Sequence, residues 1–440
     1  MKIGIRNFRC FQDIPLVDIR PITLLVGENS TGKTSFLSAL RFAHELFQRG
    51  TNPSFNKDPY SLGSFKEIAH YRGGRAGRAD EFSFYLSSPV RLPRPRAVGE
   101  DAPAEVCIVL REVDSQPAIS SIELSAADYT IDLHLSGKAE FTYKTPNMRA
   151  PKVFTERLRL PPGYDSPNFN AVSFILRDIP FLISSDAVRR QDNIGQAPDE
   201  DLNTFARVLR AIERSFAQTI FAGAPVRTKP ARTYDNIEAI PSPEGSHIPY
   251  LLARLKAFRP DDWKGLRENL IAFGSAAGLF NDIDVKKFSS SPSSPFQISV
   301  NVAGPSSNLV DVGYGVSQAL PVVAETLQAR RGSLFLLQQP EVHLHPRAQA
   351  ALGTYLANIA RQRRLTIVIE THSDYLIDRV RMDVRDKTGL DPKDVCVLFF
   401  ERNGLNVTVS QLGMDDKGNI LGAPSGYRQF FLQEQLRAIA

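Results

Sequence analysis

The chain has few cysteines and no long apolar run, and both absences limit the classes of protein to which it can belong. Only three cysteines, Cys10, Cys107 and Cys396, occur in 440 residues, and their wide spacing argues against a disulfide framework or a thiolate metal site. No stretch of 18 consecutive apolar residues is present. The N-terminus "MKIGIRNFRCF" alternates like a strand and does not form a signal-peptide core. We therefore predict a cytoplasmic protein without a membrane partner.

A strong charge of either sign is also lacking. The net charge is +5 and the pI is about 9.0, which permits nucleic-acid binding without demonstrating it. The densest basic stretches are "YRGGRAGR" (71–78) and "VRLPRPR" (90–96), both rich in glycine or proline. Such stretches suit a solvated loop as well as contact with a phosphate backbone.

The length of 440 residues predicts one large α/β domain with insertions, or two domains. Short strands at 2–6, 8–11 and 15–17 are followed by β-type segments between about 80 and 160, which predict an antiparallel lobe. Helical periodicity from about 198 to 285 predicts a helical lobe, closed by the break "SSSPSSPF" at 289–296. No heptad run suits a coiled-coil arm.

The stretch "LLVGENSTGKTSFL", residues 24–37, has the glycine, lysine and threonine spacing of a phosphate-binding loop. An apolar strand precedes it, and Gly27 and Gly32 permit backbone angles that point successive N–H groups at phosphate oxygens. Lys33 adds positive charge, and Thr34 offers a hydroxyl to magnesium. Phe36 and Phe47 mark the apolar face of a following helix that we expect to be amphipathic, with its N-terminus towards the phosphates.

Three later blocks accompany this loop. "VGYGVSQAL" (312–320) is a glycine-rich turn before an amphipathic helix, a pattern that alone is weak evidence of an anion site. "LFLLQQPEVHLHP" (334–346) and "VIETHSD" (368–374) each follow an apolar strand. With the helix-like segment 347–360 between them, "SLFLL" (333–337) and "LTIVI" (365–369) predict a parallel βαβ unit.

These four blocks, in this order, resemble the ABC-type ATPases of the SMC, RecF and OLD-like group, in particular stand-alone bacterial AAA-domain ATPases of phage-defence systems. The resemblance is strong over residues 1–50 and 300–440 and looser at "LGSFKEIAH" (62–70), which looks like a Q-loop region, and at "GSHIPYLLARL" (245–255). The ending "DDKGNILGAPSGYRQFFLQE" (415–434) also looks like the family's C-terminus. It implies an α/β P-loop ATPase head with a mixed sheet and flanking helices, and β-rich and helical insertions.

The resemblance also implies domains and site residues. The ATPase core would comprise 1–60 and 300–440, the β-rich insertion 61–195, and the helical lobe with its linker 196–299. The Walker A loop would bind ATP and Mg²⁺ through Gly27, Glu28, Asn29, Ser30, Thr31, Gly32, Lys33, Thr34 and Ser35. The signature segment would close over the nucleotide of another subunit through Gly313, Gly315, Ser317 and Gln318. His372 would be the switch histidine, and 342–346 the D-loop at the dimer interface.

The sequence departs from the family at the Walker B strand. The resemblance places the Mg²⁺ ligand at Gln338 and the residue that polarises the attacking water at Gln339, where the family usually carries two carboxylates. A glutamine can ligate a cation or accept a hydrogen bond from water, but it cannot take up a proton. Losing a general base typically costs about 100-fold to 10,000-fold in rate.

Three interpretations of the two glutamines are open. Glu341 or Glu370 supplies the missing carboxylate, or the protein is a slow ATPase in which ATP acts as a dimer clamp. In the third, the glutamines replace native glutamates by engineering. The segment "APVRTKPARTYD" (224–235) adds Arg227, Arg232 and Tyr234, which face a nucleotide, DNA or a partner, or lie in a surface loop.

Two functions are weighed for the whole chain. The first is an ATPase that dimerises head to tail over nucleotide and regulates a separately encoded effector, such as a nuclease, in phage defence. The second is a RecF-like or SMC-like ATPase that binds DNA in repair or recombination. A transporter ATPase subunit is disfavoured, because the large mixed insertion and the "HLHP" context are unlike that branch.

Overall fold

The computed structural model describes residues 1–48, 53–91, 101–135, 140–146, 152–154, 170–178, 199–235, 240–289, 294–424 and 426–427. Parts of three predicted features lie outside these residues: the basic stretch at 92–96, the Ser/Pro-rich break at 290–293, and the C-terminal match at 425 and 428–434. The chain divides into two compact units. Unit 1 comprises 1–19, 28–219 and 400–409, and unit 2 comprises 20–27, 220–399 and 410–440.

Unit 1 is built on an antiparallel sheet of eight strands. In spatial order they are β13 (Lys152–Phe154), β12 (Glu140–Lys144), β11 (Tyr129–His134), β10 (Gln116–Ala126), β9 (Asp101–Val113), β8 (Glu81–Arg91), β1 (Lys2–Phe8) and β2 (Phe11–Asp18). Two small hairpins also belong to this unit: β4 (Asn56–Lys57) with β5 (Tyr60–Ser61), and β6 (Tyr71–Gly73) with β7 (Gly77–Arg78). The predicted antiparallel segments therefore share one sheet with the N-terminal hairpin.

Among the described residues, the α-helices of unit 1 are α1 (Lys33–Glu45), α2 (Phe65–Ile68), α3 (Ala171–Ser173) and α4 (Asp199–Phe216). A cluster of phenylalanines forms much of its core, with the rings of Phe42 and Phe55 stacked at 3.9 Å between centroids. Phe8, Phe82 and Phe84 pack edge to face beside them. Aromatic pairs of this kind contribute beyond their buried area.

The N-terminal segment has two strands where the sequence predicts three. The predicted strand 8–11 is the turn of a hairpin, in which Phe8 pairs with Phe11. Asn7 and Arg9 lie in the left-handed region, with φ of 55° and 53°, so the chain reverses there.

Unit 2 contains a seven-stranded mixed sheet. In spatial order its strands are β14 (Ile220–Gly223), β18 (Leu334–Gln338), β19 (Thr366–Glu370), β3 (Ile22–Gly27), β20 (Val395–Asn403), β21 (Asn406–Met414) and β22 (Ile420–Leu421), of which β20 and β21 also extend into unit 1. β14, β18, β19 and β3 run parallel, whereas β21 and β22 are antiparallel. β18, the intervening helix and β19 confirm the predicted βαβ unit. A smaller sheet contains β15 (Asp282–Lys287), β16 (Phe296–Asn301) and β17 (Ser307–Asn308).

In the part of unit 2 that the structure describes, the α-helices are α5 (Ile248–Phe258), α6 (Pro260–Ala277), α7 (Tyr314–Gln328), α8 (Pro346–Arg363) and α9 (Asp374–Arg385). One continuous apolar core joins them to the sheet, with Leu337, Ile367 and Ile369 fully buried. α8 and α9 approach closely at Gly353, where a Cβ atom would lie 3.0 Å from the carbonyl oxygen of Leu376. The predicted α/β class is confirmed. Within the described residues no helix combines the length and apolar character needed to cross a bilayer.

Candidate nucleotide-binding site

Three neighbouring parallel strands of unit 2 end at one edge of its sheet. Leu25 of β3 is paired in register with Glu370 of β19, and Glu370 with Gln338 of β18. Because parallel strands present their carboxyl ends at the same edge, the residues that follow them collect there. Gly27 ends β3 and begins the predicted phosphate loop.

The phosphate loop has the backbone that its glycines predict. Gly27, Ser30 and Gly32 have φ of 151°, 60° and 93°, so the chain coils tightly before α1. The Thr31 hydroxyl donates to the Glu28 carbonyl at 2.8 Å, and the Lys33 ammonium donates to the same oxygen at 2.6 Å. Lys33 is 3% exposed, so its charge is held inside the loop.

Three residues outside the motif, Cys10, Phe11 and Arg402, lie against this loop, and no sequence pattern marks any of them. A Cβ atom on Gly32 would overlap the Cys10 sulfur and lie 2.9 Å from Cζ of Phe11, so only glycine fits there. Arg402 of β20 donates from Nε at 3.2 Å, and also from Nη2, to the carbonyl oxygen of Ser30. Arg402 is 372 residues from Ser30 in the chain, and Cys10 and Phe11 belong to the N-terminal hairpin. Local sequence patterns do not reveal such contacts.

The N-terminus of α1 suits an anion. Gly32 caps the helix in a left-handed conformation without a side-chain hydrogen bond, and the first turn contains no acidic residue. The first N–H groups and the helix dipole therefore favour negative charge in front of the helix. Thr34 is exposed and Ser35 is partly exposed in this first turn. This loop fits a nucleotide phosphate.

The predicted signature segment starts α7, and its residues differ in accessibility. Gly313 is exposed and Gly315 partly exposed, but Ser317 is 6% exposed and its hydroxyl donates to the Tyr314 carbonyl at 2.8 Å. Gln318 is 1% exposed, and neither atom of its amide has a hydrogen-bond partner among the described residues. The glycines are thus the part of the segment that is open to a ligand.

The predicted D-loop packs against this same helix start. The ring of His343 meets that of Tyr314 edge to face, 5.2 Å between centroids. A Cβ atom on Gly315 would lie 3.4 Å from the His343 carbonyl oxygen, so a small residue permits this close approach. His343 has a φ of 64°, which turns the chain at the contact.

The two glutamines occupy different environments at the end of β18. Gln338 is 5% exposed and ends the strand beside Glu370. Gln339 is partly exposed, has a left-handed φ of 40°, and donates its backbone N–H to the Glu370 carbonyl at 2.8 Å. Glu370 is 6% exposed and is therefore a buried acid in register with the predicted Mg²⁺ position.

Glu341 holds the segment that contains the predicted switch histidine. Its Oε1 accepts the hydroxyl of Thr371 at 2.8 Å and the backbone N–H of His372 at 2.9 Å. The N–H of Thr371 in turn donates to the Leu25 carbonyl of β3 at 3.2 Å. The His372 side chain is exposed next to these anchored backbone groups.

A buried arginine faces this arrangement. Arg227, on the loop after β14, is 3% exposed, donates from Nη1 to the Pro225 carbonyl at 3.3 Å, and interacts by charge with Glu341. Burial lowers the pKa of Arg227 to about 10, and Glu341 opposes that shift, so the guanidinium is charged at neutral pH. Burial also raises the pKa of Glu341, opposed by the hydrogen bonds from His372 and Thr371 and by the charge of Arg227.

The other two residues of that loop have different positions. Arg232 makes an exposed bidentate ion pair with Asp311, with its two contacts at 2.9 and 2.5 Å. Tyr234 is buried and stacks on Phe296 at 5.4 Å. Of the three predicted candidates, only Arg227 therefore lies beside the Walker B region.

The oxygen donors suit Mg²⁺ that is held largely by the phosphates of a nucleotide. Within unit 2, Gln338 and Glu370 end adjacent strands with an amide and a carboxylate oxygen. No cluster of three or more His, Cys, Asp or Glu that could hold a metal alone occurs in the described part of the chain. These residues would hold Mg²⁺ only together with nucleotide phosphates. When bound, the ion would neutralise phosphate charge.

Comparison with known proteins places these motifs in two family models. Residues 1–70 match a family described as "AAA ATPase domain". Residues 300–378 match one described as "AAA domain, putative AbiEii toxin, Type IV TA system". No curated protein matches the chain.

Solved structures with similar folds include three SMC heads. The SMC head bound to the C-terminal winged-helix domain of ScpA has a TM-score of 0.46 at 9% identity, over 94% of this chain and 97% of that one. An SMC head with an extended coiled coil, bound to the C-terminal domain of ScpA derived from Pyrococcus furiosus, has 0.42 at 10%, over 99% and 98%. The SMC head of Thermotoga maritima has 0.37 at 11%, over 93% and 97%.

The phosphate loop at the end of a parallel strand defines the chain as a P-loop nucleotide-binding protein. The two family matches cover this loop and also the predicted Walker B and switch segments. Over residues 1–70 and 300–378 the chain is therefore similar to AAA-type ATPase domains.

Proposed function

We propose that the protein binds ATP with Mg²⁺, dimerises over the nucleotide, and uses the ATP-bound dimer to regulate or scaffold a separate effector. The observation that carries the proposal is the contrast between an intact phosphate loop and a Walker B strand that ends in Gln338 and Gln339. Such a site holds ATP but lacks a proton acceptor at the usual positions. Slow hydrolysis would keep the dimer closed.

The effector is proposed to be a separately encoded nuclease of a phage-defence system. The toxin–antitoxin description of the family that matches residues 300–378 is in keeping with a defence role. Co-purification from the native operon tests this part. A neighbouring gene product retained with ATP supports it, and the absence of any retained product under every nucleotide condition contradicts it.

ATP-dependent dimerisation and turnover test the proposed site itself. We expect the wild type to dimerise with ATP and Mg²⁺ in light scattering, and to release phosphate slowly. Lys33→Ala should abolish dimerisation, because the ammonium that supports the loop and faces the phosphates is lost. Turnover of several per second that Lys33→Ala abolishes would contradict the clamp.

A RecF-like or SMC-like DNA-binding function is the second candidate. The hairpin Tyr71–Arg78 is exposed and contains Arg72, Arg75 and Arg78 without any acidic residue. Among the described residues, Arg72 and Arg75 have no hydrogen-bond or ion-pair partner. Duplex binding that weakens steeply with salt is the signature expected of such a surface.

A further inference from the structure

We propose that Arg227 is a positioning residue, which holds Glu341 so that this carboxylate fixes the backbone of Thr371 and His372. This inference rests on the proposed nucleotide site, because His372 is the predicted switch histidine. It assigns Glu341 a role in holding the switch segment instead of a role on the attacking water.

The first support is that both charged groups are buried. Arg227 and Glu341 are 3% and 6% exposed, although burying a charge is costly unless it is compensated. Each acts as the other's charge partner. Nη2 of Arg227 and Oε2 of Glu341 have no hydrogen-bond partner among the described residues. The two groups therefore interact through their opposite charges and not through a hydrogen bond between these atoms.

The second support is the direction of the Glu341 hydrogen bonds. One oxygen, Oε1, receives both the Thr371 hydroxyl and the His372 N–H, at 2.8 and 2.9 Å. Two donors on one oxygen bind the charged carboxylate more strongly than a neutral acid. The carboxylate is therefore committed to the switch segment, and Arg227 adds to the hydrogen bonds that favour its charged form.

The third support is the position of the two residues in the sheet. Arg227 follows β14 and Glu341 follows β18, which are parallel neighbours, and Thr371 follows the next strand, β19. Arg227, Glu341 and Thr371 thus lie on the segments that follow three adjacent parallel strands. At the next strand, β3, the backbone N–H of Thr371 donates to the Leu25 carbonyl.

Hydrogen exchange of the nucleotide-free protein tests the inference. We expect Arg227→Met to accelerate exchange of the His372 amide by about 10- to 100-fold, the range for losing a hydrogen bond to a charged group. Peptides elsewhere in unit 2, such as those of α5 and α6, should keep their protection. Lys229→Met is the matched control, because it removes an exposed positive charge from the same loop and should leave the rate unchanged.

A rescue variant separates positioning from general stabilisation. Glu341→Gln keeps an oxygen acceptor but has no charge to compensate, so Arg227→Met/Glu341→Gln should protect His372 at least about tenfold better than Arg227→Met alone. If Arg227→Met fails to fold, the double variant can still be measured, because it contains no buried carboxylate at position 341 that lacks a charge partner. Unchanged exchange in Arg227→Met, or a double variant that exchanges as fast as the single one, overturns the inference.

ATP binding by the same variants keeps the two proposals apart. Arg227→Met should bind ATP with nearly wild-type affinity, because the loop around Lys33 is intact. Failure of wild type and Lys33→Ala to differ in ATP binding would refute the nucleotide site and leave the exchange result standing. A large loss of ATP affinity in Arg227→Met, with His372 exchange unchanged, would contradict the positioning role alone.

Discussion

At the scale of single residues, the chemistry of this site depends on two amides. Gln338 is buried at a strand end, whereas Gln339 is partly exposed and held in a left-handed turn by its bond to Glu370. Of the two, Gln339 is the one whose side chain is open to water. A carboxylate at this position could accept the proton that an amide cannot.

Gln339→Glu is expected to accelerate phosphate release by about 100- to 10,000-fold, because it introduces a general base. The measurement is steady-state phosphate release at saturating ATP and Mg²⁺. Gln328→Glu adds the same charge at an exposed position of α7 and should leave the rate unchanged. If the variant binds ATP but hydrolyses it no faster than the wild type, the prediction for position 339 is wrong. Glu370, the buried acid paired with Gln338, is then the next candidate for the missing carboxylate.

At the scale of elements, α1 differs from the amphipathic helix that its sequence predicts. After Ser35 the helix is buried all round, including the polar residues Arg41 and His44. Arg41 donates to Glu45 and to the carbonyls of Lys57 and Asp58, so each buried donor on its guanidinium has a partner nearby. Polar residues on a helix predict an exposed face only when no such partners exist, and the sequence does not show where partners come from.

His44 links α1 to the end of α4. Its Nδ1 donates to the Phe216 carbonyl at 3.0 Å, and burial lowers the pKa of His44 to about 4. As pH falls below the ordinary value near 6.5, the unfolded chain takes up a proton that the folded chain does not. Stability is therefore lost between about pH 6.5 and 4, by up to roughly 3 kcal/mol.

His44→Asn should reduce this loss, because asparagine keeps a donor for Phe216 and does not take up a proton. The midpoint of thermal unfolding, measured between pH 7.5 and 5, should fall less in this variant than in the wild type. His134→Asn removes an exposed histidine and should follow the wild type. Parallel losses in wild type and His44→Asn would show that other groups cause the acid sensitivity.

At the scale of the whole molecule, the net charge is only +5, but positive charge is concentrated in one hairpin. The Tyr71–Arg78 hairpin lies in unit 1 and turns through Gly73, Gly74 and Gly77, which all have positive φ. The glycines allow a tight turn whose tip is almost entirely exposed. Arginine side chains at such a tip can reach a phosphate backbone.

If duplex DNA binds this hairpin, Arg72→Gln/Arg75→Gln should weaken binding equally for all sequences. Removing two phosphate contacts should also lower the slope of log K against log salt by about 2. Gel shifts with ATP at several salt concentrations measure both. Arg330→Gln/Arg331→Gln, an adjacent exposed pair in unit 2, is the control and should bind as the wild type does. DNA binding that is insensitive to salt would contradict backbone recognition.

The predictable part of this molecule is the part encoded over short stretches. The phosphate loop follows from glycine, lysine and threonine within one turn of chain, and the βαβ unit from two apolar runs that flank a helical period. The predicted domain boundaries stay a prediction. The two units of the structure interleave along the chain, because β20 and β21 each contribute residues to both. Local patterns carry no information about such sharing.

The sequence by itself determined that this chain has a phosphate-binding loop, because backbone angles and side-chain donors within nine residues suffice to form one. It also determined that the Walker B strand lacks its carboxylates. Only the tertiary structure decided that Glu341 accepts hydrogen bonds from Thr371 and His372, and that Arg227, over 100 residues earlier, is buried where it interacts with Glu341 by charge. The reason is physical: the environment of a buried charge is created by strands adjacent in the sheet and distant in the chain.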